Sequence, residues 1–186
     1  MALGLPIVVL AAATSCNVHL QSAAAALQGH DAAKAEAILN SLDASCSSGS
    51  SRFYELKGVA SSLSGNLKAA ESAFRSAASL NPKSARLLTD LGAVYLREKK
   101  PALALTALQK ALALDPSEAI ATQYLIGSYV QLRKWRDASR LFDRLDPQGN
   151  PKLLDNPVMS LWFAQTLLGT KQLDRLHDFL ASREQE

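Results

Sequence analysis

Between residues 85 and 96, apolar side chains fall at Leu87, Leu88, Leu91, Val94 and Tyr95. Their spacings of three and four place them on one face of an α-helix. Ala104, Ala107, Leu108, Ala111 and Leu112 repeat that stripe between residues 103 and 114. The breaks between stripes carry turn chemistry: Gly65-Asn66, Asn81-Pro82, Lys99-Lys100-Pro101 and Asp115-Pro116. Asp31, Asn66 and Ser84 are suited to cap helix starts, and Pro101 suits a first helical turn. No apolar/polar alternation of the strand kind occurs. The pattern predicts an all-α chain of short helices in antiparallel pairs.

The pairs are copies of one another. Gly58, Ala70, Ala77 and Pro82 recur 34 positions later as Gly92, Ala104, Ala111 and Pro116, with Phe74 answered by Leu108 and Tyr54 by Leu88. A further step sets Leu125, Tyr129, Ala138 and Phe142 opposite Leu91, Tyr95, Ala104 and Leu108. Upstream, Ala35-Glu36-Ala37-Ile38-Leu39 matches Ala70-Glu71-Ser72-Ala73-Phe74, and downstream Phe163, Ala164, Leu167, Leu176 and Leu180 form a diverged copy. A single hairpin cannot bury both of its apolar faces, so stacked copies are the folding unit.

This signature resembles the tetratricopeptide repeat family, with residues 85–118 carrying it most fully through Leu88, Leu91-Gly92, Tyr95, Ala104, Leu108, Ala111 and Pro116. The resemblance implies an all-α, right-handed α-solenoid of about five antiparallel helix hairpins. The repeats are expected at 16–50, 51–84, 85–118, 119–152 and 157–186. Residues 51–84 depart from the pattern at Lys57 and Ser61, which predicts looser packing of that first helix. Residues 119–152 have Ile126 in place of the glycine and end early at Pro147.

Composition narrows the function. The 186 residues hold 20 Lys plus Arg against 17 Asp plus Glu, a net +3, too little cationic excess for dedicated nucleic-acid binding. Two Cys cannot form a four-thiolate site, and His19, His30 and His177 lack ligand spacing, so neither metal nor cofactor is expected. Nucleotide-loop, zincin and serine-hydrolase motifs are missing. Serines at 45–51 and 61–64 have no histidine in a matching motif and read as loop and helix-end residues, while Trp135 and Trp162 read as inter-repeat packing.

Residues 3–13 are uninterrupted apolar or small, too short to span a bilayer but suited to the core of a secretory signal. Ala11 and Ala13, or Ala13 and Ser15, stand where a signal peptidase reads. No Lys or Arg precedes Lys34, a departure from the usual charged start. Residues 1–15 are thus expected to be a signal segment and the mature protein to be periplasmic or secreted from a bacterial-type cell, without a stable transmembrane helix. Lipidation at Cys16, or a cytoplasmic chain whose first helix packs on the array, are the alternatives. Cys16 and Cys46 flank the first hairpin near the start of its first helix and past the end of its second. Antiparallel packing brings those ends together, which makes a disulfide feasible in an oxidising compartment.

What the family resemblance implies for function is a concave groove lined by the first helix of each repeat, holding an extended peptide or a partner helix. Its second, fifth and ninth positions are Arg52, Glu55 and Val59, then Arg86, Thr89 and Ala93, then Ile120, Gln123 and Gly127. None of these three helices contains the Asn used by family members that clamp a terminal carboxylate. The expected function is a non-catalytic protein-interaction scaffold. A different possibility lies along the turn edge, where Arg97, Lys99, Lys100, Arg133, Lys134, Arg136 and Lys171 would make an accessory or carrier for an acidic or small ligand. Self-association through an unfilled end of the array is a third.

Overall fold

The computed structural model describes residues 7–145 and 154–183, and every regular element among them is a helix. The described residues fold as five antiparallel hairpins. The first pairs α1 (Ile7–Gln28) with α2 (Ala32–Asn40) and is followed by the single turn α3 (Ala44–Ser47). The second pairs α4 (Ser51–Leu63) with α5 (Leu67–Leu80), and the third α6 (Ala85–Arg97) with α7 (Pro101–Leu114). The fourth joins α8 (Ala119–Gln131) to α9 (Trp135–Leu145), and the fifth α10 (Pro157–Gly169) to α11 (Leu173–Arg183).

The polar punctuation of the sequence acts as expected. Side-chain oxygens of Asp31, Asn66 and Ser84 accept from the backbone N–H groups of Lys34, Ala69 and Leu87, which satisfies donors at the starts of α2, α5 and α6. Ser50 and Asn156 do the same for α4 and α10, while Pro101 occupies the first turn of α7. Within every hairpin one residue adopts a left-handed conformation: His30 (φ 58°), Gly65 (78°), Lys99 (58°), Arg133 (55°) and Lys171 (59°). The next N–H then reaches back around the helix end, as when Lys100 donates to the Tyr95 carbonyl at 2.8 Å.

Close approach inside the hairpins depends on glycine. A β-carbon on Gly58 would stand 2.9 Å from the Phe74 ring, and one on Gly92 would stand 2.6 Å from Leu108. The absence of a side chain thus creates the seat for the large residue of the second helix. Around these seats Leu91, Val94, Tyr95, Ala104, Leu108 and Leu125 bury together. Tyr54 links this central core to an N-terminal one built on Leu39, Phe53 and Leu56; Tyr129 and Leu141 link it to a C-terminal one built on Ile126, Phe142 and Met159.

The order of packing shows how the array bends. Each second helix packs on the first helix of the next hairpin, as α5 on α6 and α7 on α8. First helices also meet one another: α1 with α4, α6 with α8, and α8 with α10. Their shared face is therefore the inner one.

Two expectations need correction. The hairpin of α4 and α5 is not loose: Ser61 is buried, and the Lys57 ammonium lies 5.8 Å from the centre of the Phe53 ring, so its stem covers apolar surface. Cys16 does not lie near a helix start, because α1 begins at Ile7 and runs through it without a break. Cys46 does lie past the end of the second helix, within the single turn α3. The expected signal segment falls outside the described residues at 1–6, and Pro147 does so as well.

Candidate partner-binding groove

The inner face is set by which side of α4, α6 and α8 is left over once their apolar stripes are buried. On α4 and α6 that side carries a charged cluster. Arg52 pairs with Glu55 one turn on at 3.0 Å, and Arg86 reaches across from α6 to the same carboxylate at 3.6 Å. Glu55 is largely shielded while both guanidiniums extend into solvent. These exposed pairs fix side-chain direction more than they add stability.

The predicted positions are thus brought together in part. Arg52, Arg86 and Ile120 are exposed, and Glu55, Val59, Ala93 and Gln123 are half-buried. Toward α8 the surface becomes apolar, with Ile120 54% exposed. Two of the nine cannot serve as contacts. Thr89 is only 3% exposed and its hydroxyl donates to the Ala85 carbonyl at 3.0 Å, which turns it inward. Gly127 is buried beneath Trp162 of the next hairpin, whose ring would lie 2.4 Å from an added β-carbon.

Asp90 was not among the predicted residues. It lies beside Thr89 on α6, and its Oδ2 is buried with no hydrogen-bond partner. Burial pushes its carboxyl up to about 6; the neighbouring Glu55 and Glu118 add to the rise, and Arg86 opposes it. Burying a carboxylate oxygen without a donor costs folding free energy, and protonation lowers that cost. The signal for Asp90 in the sequence was a lone acid between Leu88 and Leu91.

The turn edge divides into two parts. Arg97 donates to both the carbonyl (2.9 Å) and hydroxyl (2.6 Å) of Ser62, and Lys100 pairs with Glu71 and Glu98 at 2.9 and 2.8 Å. Glu71 is held below the usual carboxylate range by Lys100. Lys99 stays exposed. Further along, Arg133, Lys134, Arg136 and Lys171 line a cavity of about 550 Å³ between the fourth and fifth turns.

Neither tryptophan is arranged as an isolated ligand platform. Trp162 packs on Gly127, and Trp135, at the start of α9, packs on Gly169 at the end of α10. At the other end of the array Cys16 and Cys46 have their Cα atoms 5.3 Å apart with the sulfurs in bonding contact. No group of three or more His, Cys, Asp or Glu among the described residues could hold a metal ion. No described helix is long and apolar enough to cross a membrane.

Comparison with known proteins agrees with this architecture. Family models described as tetratricopeptide repeat match residues 51–84 and 95–154. No curated protein matches significantly. Among solved structures, MamA of Desulfovibrio magneticus RS-1, from its residue 41 onward, is 19% identical with a TM-score of 0.67, covering 90% of this chain and 96% of that one. A mutant O-GlcNAc transferase of Thermobaculum terrenum is 22% identical with a TM-score of 0.67 over 76% of this chain. The match spans only 28% of the transferase. At these identities the likeness is one of fold.

Proposed function

This chain belongs to the tetratricopeptide repeat family, and we propose that it is a non-catalytic scaffold that binds a peptide or partner helix along the inner face of its first helices. The observation that carries this reading is the continuity of that face from a charged end to an apolar one. Arg52, Glu55 and Arg86 form the charged end, and Ile120 is exposed at the apolar end, with Gln123 one turn further along α8. Such a gradient suits an amphipathic segment that lays its polar residues against α4 and α6 and its apolar residues against α8. We place the protein outside the cytoplasm, supported by the close approach of Cys16 and Cys46, a pairing that persists in oxidising compartments.

The test is affinity capture from the native envelope fraction with wild-type protein and with an Arg86→Glu/Gln123→Glu double variant. These side chains lie at the surface or half-buried, so thermal stability should change little. Loss of captured partners with a folded variant supports the groove. Undiminished capture moves the contact elsewhere.

A further inference from the structure

We propose that the turns of the fourth and fifth hairpins form a second binding site, separate from the groove, for an acidic peptide segment whose carboxylates recur about every third residue. The site is the 550 Å³ cavity walled by Arg133, Lys134 and Arg136 on one turn and Lys171 on the next, with Trp135 between them. The volume lies within the range of specific ligand pockets. Four cations face one carboxylate, Asp137, which is itself paired with Arg140 at 3.5 Å.

Among the described residues these cations are not engaged by the protein's own groups. In the third hairpin Arg97 and Lys100 are held by Ser62, Glu71 and Glu98. Arg133, Lys134, Arg136 and Lys171 have no ion pair or side-chain hydrogen bond among the described residues, yet they surround one concavity. Like charges held together without a counter-ion repel one another, and a bound anion removes that repulsion. The start of α9 adds to the field. Lys134 supplies the carbonyl that accepts from Asp137 and Ala138, but its side chain has no acceptor for the first-turn N–H groups. Asp31, Ser50, Asn66, Ser84 and Asn156 perform that service for other helices. The start of α9 therefore lines the cavity without a capping side chain, its positive end offset in part by Asp137 in its first turn.

Spacing selects the ligand. Neighbouring packed helices lie about 8–10 Å apart, so cations on two successive turns are separated by more than one phosphoryl group can bridge. A peptide in the polyproline II conformation turns once every three residues and advances about 3.1 Å per residue, so carboxylates three residues apart lie on one face about 9 Å apart and meet both turns. Trp135 is half-buried on Gly169 and offers its remaining face to the peptide backbone between them.

The experiment titrates the full chain with a fluorescein-labelled nonapeptide bearing Glu at every third position and Gly elsewhere, followed by anisotropy, with the Gln-for-Glu peptide as reference. The Glu peptide should bind at least tenfold tighter than the Gln peptide, and more weakly as salt rises through the range that screens exposed charges. Arg133→Glu/Lys171→Glu should lower its affinity by tenfold or more, whereas the charge-matched variant Lys68→Glu/Lys83→Glu, at the two ends of α5, should not. Equal binding of both peptides, equal loss in both variants, or displacement by equimolar pyrophosphate would each overturn the proposal, the last in favour of a compact phosphoryl ligand. None of these outcomes bears on the groove, which the probe is not built to fit.

Discussion

The indole of Trp162, on α10, fills the space that a β-carbon on Gly127 of α8 would need, with ring atoms 2.4 to 2.9 Å from that position. In the second and third hairpins the equivalent seat faces inward, toward Phe74 and Leu108 of the same hairpin. In the fourth, Ile126 occupies that place and the glycine comes one residue later. One residue is about 100° around a helix, so the seat turns from the hairpin's own second helix toward its neighbour. Gly127→Ala should therefore cost about 1 to 3 kcal/mol by overpacking, and Trp162→Ala about 3 kcal/mol by leaving a void. Urea denaturation of each variant measures both. A neutral Gly127→Ala would mean that the two hairpins separate without penalty.

The hairpin turns predict a pair of opposite effects. Gly65 has a φ of 78° and nothing within 4 Å of an added β-carbon, so Gly65→Ala should destabilise by about 1 kcal/mol through backbone strain alone. Lys99 adopts nearly the same conformation with a β-carbon present, at φ 58°. Lys99→Gly should relieve strain and stabilise by about 0.5 to 1 kcal/mol. Thermal unfolding of the two variants should move in opposite directions.

Asp90 makes stability depend on pH in an uncommon sense. Its folded carboxyl lies at about 6 against 3.8 when free, because burial disfavours the charged form. The folded state therefore holds the proton more tightly than the unfolded state. Stability from this group is absent at pH 8 and grows as pH falls through about 6 toward 4, gaining about 1 kcal/mol between pH 7 and pH 5. Glu71 works the other way: Lys100 holds its pKa down, so its contribution is present at neutral pH and is lost in acid. Asp90→Asn isolates the first effect. The difference in unfolding free energy between wild type and variant should change with pH across this window, and a pH-independent difference would contradict the assignment.

The bridge between Cys16 and Cys46 would close a loop with a sequence separation of 30. Cys46→Ser should then cost about 3 to 4 kcal/mol in the chain-entropy treatment, mostly at the first hairpin. Intact mass after alkylation of native protein, with and without reductant, checks the pairing directly. Two thiols that alkylate without reductant would exclude it, and an added diacylglycerol mass on Cys16 would mean a lipid anchor instead.

Much of this was readable in advance because it is written in local chemistry. Asp31, Asn66, Ser84 and Pro101 act within a few residues of themselves, and the seats at Gly58 and Gly92 recur at the family spacing. The misjudged residues depend on neighbours that come from other hairpins. Position counting from a repeat consensus treats Gly127 as a groove residue, but the displaced glycine acquires its partner from α10. Thr89 shares its position with the half-buried Glu55 and Gln123, yet its hydroxyl returns to its own helix and the residue buries. Asp90 looks like any solvated acid until α4 and α8 bring Glu55 and Glu118 near it. The extent of α1 was obscured because an apolar run suits both a signal core and a helix.

A linear array with a cross-link at one end cannot open symmetrically. The bond at Cys16 and Cys46 would hold the first hairpin closed, while α11 at the far end has no buried residue of its own and leaves Leu173 and Leu180 half or more exposed. Because each hairpin is supported chiefly by its neighbours, loss of the last one uncovers the next. Opening would then travel in one direction, from α11 toward α1, and amide exchange rates would fall in steps along the chain. Reduction would remove that polarity and let the array fray from both ends.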